Sequence, residues 1–295
     1  MSVVFTYAKR ENVTVLLSLA GQSGSGKTFS ALRLAKGMAA AGKIAFIDTE
    51  ARRALHYAGQ FDFMHYDMRG PFRPERFVEA VHAAEAAGAE VIIIDSFSHC
   101  YDGIGGVLEW AEELSEQGIK PPLNWKAPKI ANRKMVTSFL QARAHLIFAL
   151  RADEKIEIIR EGGKTQIRPL GIVPICERRF MFENVASFTL LPEKPGYPNF
   201  HLAHKLPEQL RPIFSEGRPI DESAGRALAA WAAGGVAAGP QTPSLADQGD
   251  DCARRGLEVL RTFWANLTPT EKQEVGGAAQ LESWKQVAAA KEQAN

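Results

Sequence analysis

The sequence predicts an α/β fold: a mostly parallel central sheet flanked by helices, followed by a small helical unit at the carboxyl end. Three observations lead to it. Short apolar runs alternate with helix-period segments through about the first two thirds of the 295 residues, which is a βαβ rhythm. A glycine loop joins the first apolar run to the first helix. A stretch rich in Gly, Ala, Pro, Ser and Gln at 234–250 separates this alternation from two final apolar stripes.

The opening strand is the apolar run 13–20. Helix 27–41 follows and stops at Gly42, and 43–48 is the second strand. Residues 61–66 read as a third strand, and 74–87 as a helix with Pro74 in its first turn and Gly88 past its end. Strand 90–95 comes next, then a basic helix at about 128–143 and strand 144–150. Segments 156–160 and 164–168 flank Gly162 and Gly163, the composition of a two-residue hairpin turn, so the sheet is expected to be mixed at one edge. Strands at 186–191 and 200–204 and a helix near 223–233 close a first domain of residues 1–233. Residues 234–250 offer nothing periodic to bury and read as a flexible linker. In the module 251–295, Leu257, Leu260, Trp264 and Leu267 make one stripe and Leu281, Trp284 and Val287 another. Thr268 and Glu271 have capping-box spacing, and so short a module has a marginal core.

Composition removes several classes. A net charge of +1 argues against a uniformly basic nucleic-acid coat, so a polyanion site must come from local clustering. Cys100, Cys176 and Cys252 lie far apart without paired spacing, which suits neither a disulfide framework nor a zinc site and fits a reducing cytoplasm. The run 13–20 is too short for a membrane span and leads into glycines, so no membrane partner is expected.

The chemistry begins at Gly21-Gln22-Ser23-Gly24-Ser25-Gly26-Lys27-Thr28, which matches GxxxxGK[ST] between a buried strand and a helix. Glycines let backbone N–H groups converge on phosphates, and the helix N-terminus adds a favourable dipole. Lys27 would reach the β- and γ-phosphates, and Thr28 would ligate magnesium, so ATP and Mg2+ are the expected cofactors. The apolar strand ending at Asp95 has the form of a Walker B element, whose aspartate holds the magnesium shell. Ser96 rather than a glutamate follows it, so the group that orients water must come from elsewhere. Glu50, two residues past the end of the second strand, is the candidate general base; alternatively it caps a helix starting near Ala51.

Between Gln117 and Ala152 there is no acidic residue, while Lys120, Lys126, Lys129, Arg133, Lys134, Arg143 and Arg151 all fall there. Lys129 and Arg133 share a helical face, Lys126 precedes them, and Trp125 offers a stacking ring, a combination suited to single-stranded DNA. The alternative is a solvated basic face balanced by Glu109, Glu112, Glu113 and Glu116.

The segments GQSGSGKT, FIDTE with ARRALHYA, IIIDS and LIFALR occur in the order of the RecA-like recombinase ATPases, which the chain resembles. Over about 4–231, including PICERRFMFE and GRALAAWA, it is similar to phage-encoded RecA-like ATPases of the single-strand-annealing and recombination class. The resemblance implies a RecA-like P-loop NTPase core and DNA-stimulated ATP hydrolysis in recombination, annealing or replication. Further implications are a ring or filament of identical chains and, for a phage protein, a place in the host cytoplasm. It implies water activation by Glu50, magnesium binding by Asp95 and a sensor role for Arg151, on a strand between those of the P-loop and Asp95. That family usually carries glutamine at the sensor position, so Arg151 either donates to the γ-phosphate or anchors the hairpin after it. The loops at about 118–128 and 153–170 would line a DNA channel, and Arg178, Arg179 or Lys205 would reach a neighbour's nucleotide. Phe5-Thr6-Tyr7-Ala8 resembles the Phe-x-x-Ala segment by which some recombinases dock onto a neighbour, and a protein partner is expected for the C-terminal module. The rivals are a P-loop kinase acting on a small molecule and a nucleotide-switched interaction module.

Overall fold

The computed structural model describes residues 5, 7–8, 10–11, 13–161, 164–235 and 244–293, with the backbone alone at 157–161, 164–167, 169 and 290–293. The chain divides into two compact units, Met1–Gly239 and Pro240–Asn295.

The first unit is α/β. In chain order its elements are β1 (Leu16–Gly21), α1 (Lys27–Met38), β2 (Ile44–Asp48), β3 (Met64–Asp67), α2 (Pro74–Ala86), β4 (Val91–Asp95), α3 (His99–Asp102), α4 (Val107–Glu116), α5 (Lys126–Leu140), β5 (His145–Glu161), β6 (Lys164–Pro174), α6 (Phe180–Glu183), β7 (Ala186–Leu190), β8 (Pro198–Asn199) and α7 (Glu222–Ala232). The sheet runs β3-β2-β4-β5-β1-β7-β8, with β6 paired to β5 off this path. The pairs from β3 to β7 are parallel, and β5–β6 and β7–β8 are antiparallel.

Every residue of β1, β2, β4 and β7 is buried, because helices cover both faces. Strand alternation then divides the core in two. Leu17, Leu19, Phe46, Ile93 and Phe188 point to the α1 and α7 side with Leu34, Met38 and Leu228. Leu16, Ala45, Ile47, Ile92 and Phe148 point to the α2 and α5 side with Phe77, Met135 and Phe139. On that side Phe97 is ringed by Phe77, Phe139, Phe148 and Phe180 at centroid distances of 4.6–5.9 Å.

Several elements differ from expectation. Strand 144–150 and hairpin arm 156–160 are one strand, β5, which leaves the parallel sheet and continues into antiparallel pairing from Ala152↔Pro174 to Glu161↔Lys164. The turn at Gly162 and Gly163 lies outside the described residues. The strand expected at 200–204 is absent. There the Asn199 side chain accepts from the N–H groups of His201 and Leu202 and turns the chain out of the ladder, leaving a two-residue β8 and a single bridge Ser187↔Lys205.

The second unit comprises α8 (Leu245–Arg255), α9 (Leu257–Asn266), α10 (Pro269–Glu274) and α11 (Gly277–Gln293) around Ala253, Leu260, Leu267, Val275, Trp284 and Ala288. The expected linker of 234–250 is thus too long at its far end. Ser244 and Asp247 form a capping box that starts α8, and Trp284 donates to Asp250 at 2.6 Å, so residues 245–250 belong to the helix. Residues 236–243 of that stretch lie outside the described ones. Thr268 and Glu271 cap α10 reciprocally. Among the described residues no helix is long and apolar enough to cross a membrane.

Candidate functional site

β1 ends in the glycine loop, and two of its glycines have left-handed backbone, Gly24 at φ 80° and Gly26 at φ 82°. A side chain at Gly26 would also meet the backbone of Gly196 at 2.8 Å, so this turn requires glycine twice over. α1 opens directly after it with no side-chain cap and no acid in its first turn, which leaves its N–H groups for an anion. Lys27 Nζ donates to the carbonyls of Gly21 and Gln22, each at 2.8 Å. Burial pushes the Lys27 pKa below its usual value, against the opposing pull of Asp95 and Glu50.

The C-terminal ends of β2 and β4 bring the acids to this loop, and β5 sets Arg151 beside it. Thr28 Oγ1 donates to Asp95 Oδ2 at 2.5 Å, across 67 residues of sequence. Burial raises the Asp95 pKa to about 6; Glu50 and Asp48 add to the rise, while the Thr28 hydrogen bond and Lys27 oppose it. Thr49 fastens β2 to β4: its hydroxyl accepts from Ser96 N at 2.8 Å and lies 2.7 Å from His99 Nδ1, whose ring stacks on Phe72.

Of the two roles left open for Glu50, capping belongs to Asp48. Its Oδ1 accepts from Glu50 N at 2.8 Å, and its Oδ2 from Ala54 N at 2.9 Å and His65 Nε2 at 3.1 Å. The turn carries two non-glycine residues in the left-handed region, Ala51 and Arg52, and it projects Glu50 into the cavity. There Glu50 Oε1 accepts from Arg151 Nε at 3.1 Å and Nη2 at 2.8 Å, and Oε2 from Arg53 Nη1 at 3.1 Å. Burial alone would raise the Glu50 pKa, but the Arg151 hydrogen bonds and the charges of Arg151, Arg53 and His99 hold it below the usual carboxylate value.

These groups line one cavity of about 710 Å³, together with Arg53, Tyr57 and Asp153. Sequence reasoning missed Arg53 and Tyr57 as cavity groups. They come from a short 3-10 segment, Arg53–Tyr57, and the signal was a basic and an aromatic residue within ten positions of the strand-end acid Asp48. Tyr57 packs near Phe29 and is half-buried, and burial raises its pKa.

The basic stretch forms a surface of its own. Lys126, Lys129 and Arg133 are exposed on α5, and Lys129 Nζ stands 5.6 Å from the centre of the partly exposed Trp125 ring. Among the described residues none of the three makes an ion pair. Two of the four α4 acids are engaged elsewhere: Glu113 pairs with Arg73 at 2.5 Å, and Glu109 accepts from Gly105 N. Asn124 holds the loop before Trp125 to α4 by donating to Ala111 O at 3.0 Å and Ser115 Oγ at 2.9 Å. Of the groups considered for reaching a neighbour, Arg178 and Arg179 are exposed. Lys205 is spent on its own chain, donating to Phe182 O and Asn184 O.

Comparison with known proteins gives one family. A family model described as an AAA domain matches residues 14–171, a span holding the glycine loop, Glu50, Asp95, Arg151 and the basic stretch. No curated protein matches the chain.

Proposed function

Since the chain belongs to the AAA domain family of nucleotide-binding ATPases, we propose that it hydrolyses ATP with magnesium and does this work on single-stranded DNA. One observation carries the first half: Lys27, the Thr28–Asp95 pair and Glu50 converge on a single cavity behind a helix N-terminus. The donor set fits magnesium. Thr28 and Asp95 offer two hard oxygens at one point, and among the described residues no group of three or more metal-binding side chains gathers there, which suits an ion that keeps waters and takes the rest of its shell from phosphate. When bound, that ion would neutralise charge on the phosphate oxygens.

The chain's own groups supply the rest. Loop N–H groups and Lys27 hold the phosphates, and the ring of Tyr57 lines the same cavity as a surface for the base. Water oxygen bonds to the terminal phosphorus, and the bond from that phosphorus to the bridging oxygen breaks with its electron pair going to ADP. The water proton passes to the Glu50 carboxylate and then to solvent. Lys27→Ala is expected to weaken nucleotide binding, and Glu50→Gln to spare binding while removing ~2.7–4 kcal/mol of transition-state stabilisation. Phosphate release measured without any added acceptor decides between this chemistry and transfer to a small molecule. Wild-type turnover by Glu50→Gln would remove Glu50 from the mechanism.

The DNA half is supported by three exposed cations on α5 that make no ion pair among the described residues, with Lys129 near the Trp125 ring, and by the resemblance of 4–231 to phage ATPases of annealing and recombination. Stimulation of phosphate release by an oligonucleotide tests it; no stimulation and no binding would leave a DNA-independent, nucleotide-switched module.

Self-association belongs to the same proposal. Phe5 and Tyr7 are 94% and 100% exposed. Edge strand β3 leaves Met64 and Tyr66 partly exposed beside a groove of about 390 Å³ lined by Ala80, Ala83 and Ala84 of α2 and by Ala87 just past its end. The occupant is the Phe5-Thr6-Tyr7-Ala8 segment of a second copy. Phe5→Glu and Ala83→Glu should then each reduce the sedimentation coefficient of the ATP-bound protein, and unchanged sedimentation of both would end the idea.

A further inference from the structure

Arg151 sits where β5 changes duty. In register it lies beside Gly21, the first residue of the glycine loop, and the next residue, Ala152, already pairs with β6. Its backbone is fixed on both sides: its N–H donates to Ser98 Oγ at 2.9 Å, and its carbonyl accepts from Ile175 N at 2.8 Å. Only the side chain is left to move. It places two donors on one oxygen of Glu50, while Arg53 takes the other oxygen.

A carboxylate with a cation on each oxygen is a poor acceptor for a water proton, because both cations favour its unprotonated form. The pair is not a buried structural bridge. The Arg151 side chain is 46% exposed and that of Glu50 20%, both facing the cavity, so solvent screening keeps the pair weak enough to exchange. Arg53 is less suited to exchange onto a phosphate, being 70% exposed and rooted past the end of β2 rather than beside the glycine loop. A terminal phosphate offers a planar guanidinium two oxygens and more charge than one carboxylate.

We propose that Arg151 is a two-position side chain: without nucleotide it restrains Glu50, and a bound triphosphate draws it onto the terminal phosphate, releasing Glu50 Oε1 to orient water. This rests on the ATPase reading above and adds to it that the resting site holds its own base back. A diphosphate, lacking the terminal group, leaves the restraint in place. The site therefore commits to hydrolysis only when the substrate is complete, which limits idle proton transfer.

Nuclear magnetic resonance of the full chain tests this directly through the Arg151 Nε–H signal, assigned by its loss in Arg151→Lys. Gly24 and Gly26 amide signals report nucleotide binding in the same spectra. The Arg151 signal should move with a non-hydrolysable ATP analogue and stay in place with ADP, while the glycine signals move with both. In parallel, Arg151→Met should lower kcat on the order of 100-fold, remove the preference for the triphosphate analogue over ADP, and leave ADP affinity within about twofold, with Arg151→Lys intermediate. A merely structural arginine would change both affinities together. Glycine signals that respond to the analogue while the Arg151 signal does not would overturn the two-position proposal and leave the ATPase reading intact. A wild-type chain that binds the analogue yet releases no phosphate would instead overturn the ATPase reading, whatever Arg151 does.

Discussion

Asp48 and Glu50 stand two residues apart and are used in opposite ways. Asp48, 1% exposed, spends its oxygens on two backbone N–H groups and His65, and so builds the turn that presents Glu50. Asp48→Asn is expected to cost about 1–2 kcal/mol, as loss of a charged cap does. It should also slow hydrolysis by letting the turn relax; a urea titration and a phosphate assay on the same sample check both. His145 gives a pH dependence of stability. Its Nδ1 accepts from Val15 N at 3.1 Å, which needs the neutral ring, and burial lowers its pKa against the pull of Glu90. The folded chain therefore takes up this proton at lower pH than the unfolded chain. Its contribution is complete above the ordinary histidine value and is lost as pH falls below that towards the folded value. The urea midpoint at pH 5.5 should be lower than at pH 8, and His145→Asn, whose amide oxygen can take the same bond, should reduce the difference.

At the scale of elements, α1 and α7 approach closely enough to require glycine on each. A Cβ on Gly37 would lie 2.0 Å from Glu222 O, and one on Gly225 2.2 Å from Leu34 O. Gly225→Ala must part the helices and disturb the Arg33–Glu222 pair between them, so a loss of about 1–3 kcal/mol is expected by thermal unfolding. α5 carries a different kind of prediction because, among the described residues, Lys126, Lys129 and Arg133 on its exposed face make no ion pair. If Lys126, Lys129 and Arg133 all touch phosphate, their combined change to Ala should lower oligonucleotide affinity and reduce the salt slope by about two units. Trp125→Ala should cost ~1–3 kcal/mol of binding with the slope nearly unchanged. A fluorescence titration at several salt concentrations separates these results, and a triple variant with wild-type affinity and slope would make the face a solvated one.

At the scale of the molecule, the two units have separate cores. The second is small, and Trp284 is its largest fully buried side chain, with Gly249 so close that a Cβ there would lie 2.1 Å from the indole. Trp284→Ala removes ~3–5 kcal/mol of packing from a unit with little stability to spare. Calorimetry should show that unit's transition disappear while nucleotide binding by the first unit remains. A chain ending at Gly239 should likewise keep its ATPase activity, and loss of that activity would mean that the helical unit is part of the enzyme.

What the sequence determined by itself was whatever repeats or closes locally. Apolar runs alternating with helix-period segments were enough for a mostly parallel sheet, since buried strands joined through helices have few other ways to pack. GQSGSGKT was enough for the glycine loop, because both its left-handed residues and its helix start are written within eight positions. Tertiary structure alone decided which distant segments meet. Glu50 finds Arg151 across 101 residues, and Thr28 finds Asp95 across 67. It also assigned the cap to Asp48 rather than Glu50, turned the chain at Asn199 where a strand was expected, and drew 245–250 into a helix. Each of these outcomes depends on hydrogen bonds and packing between elements, and the local pattern of a segment is the same whichever partner it pairs with.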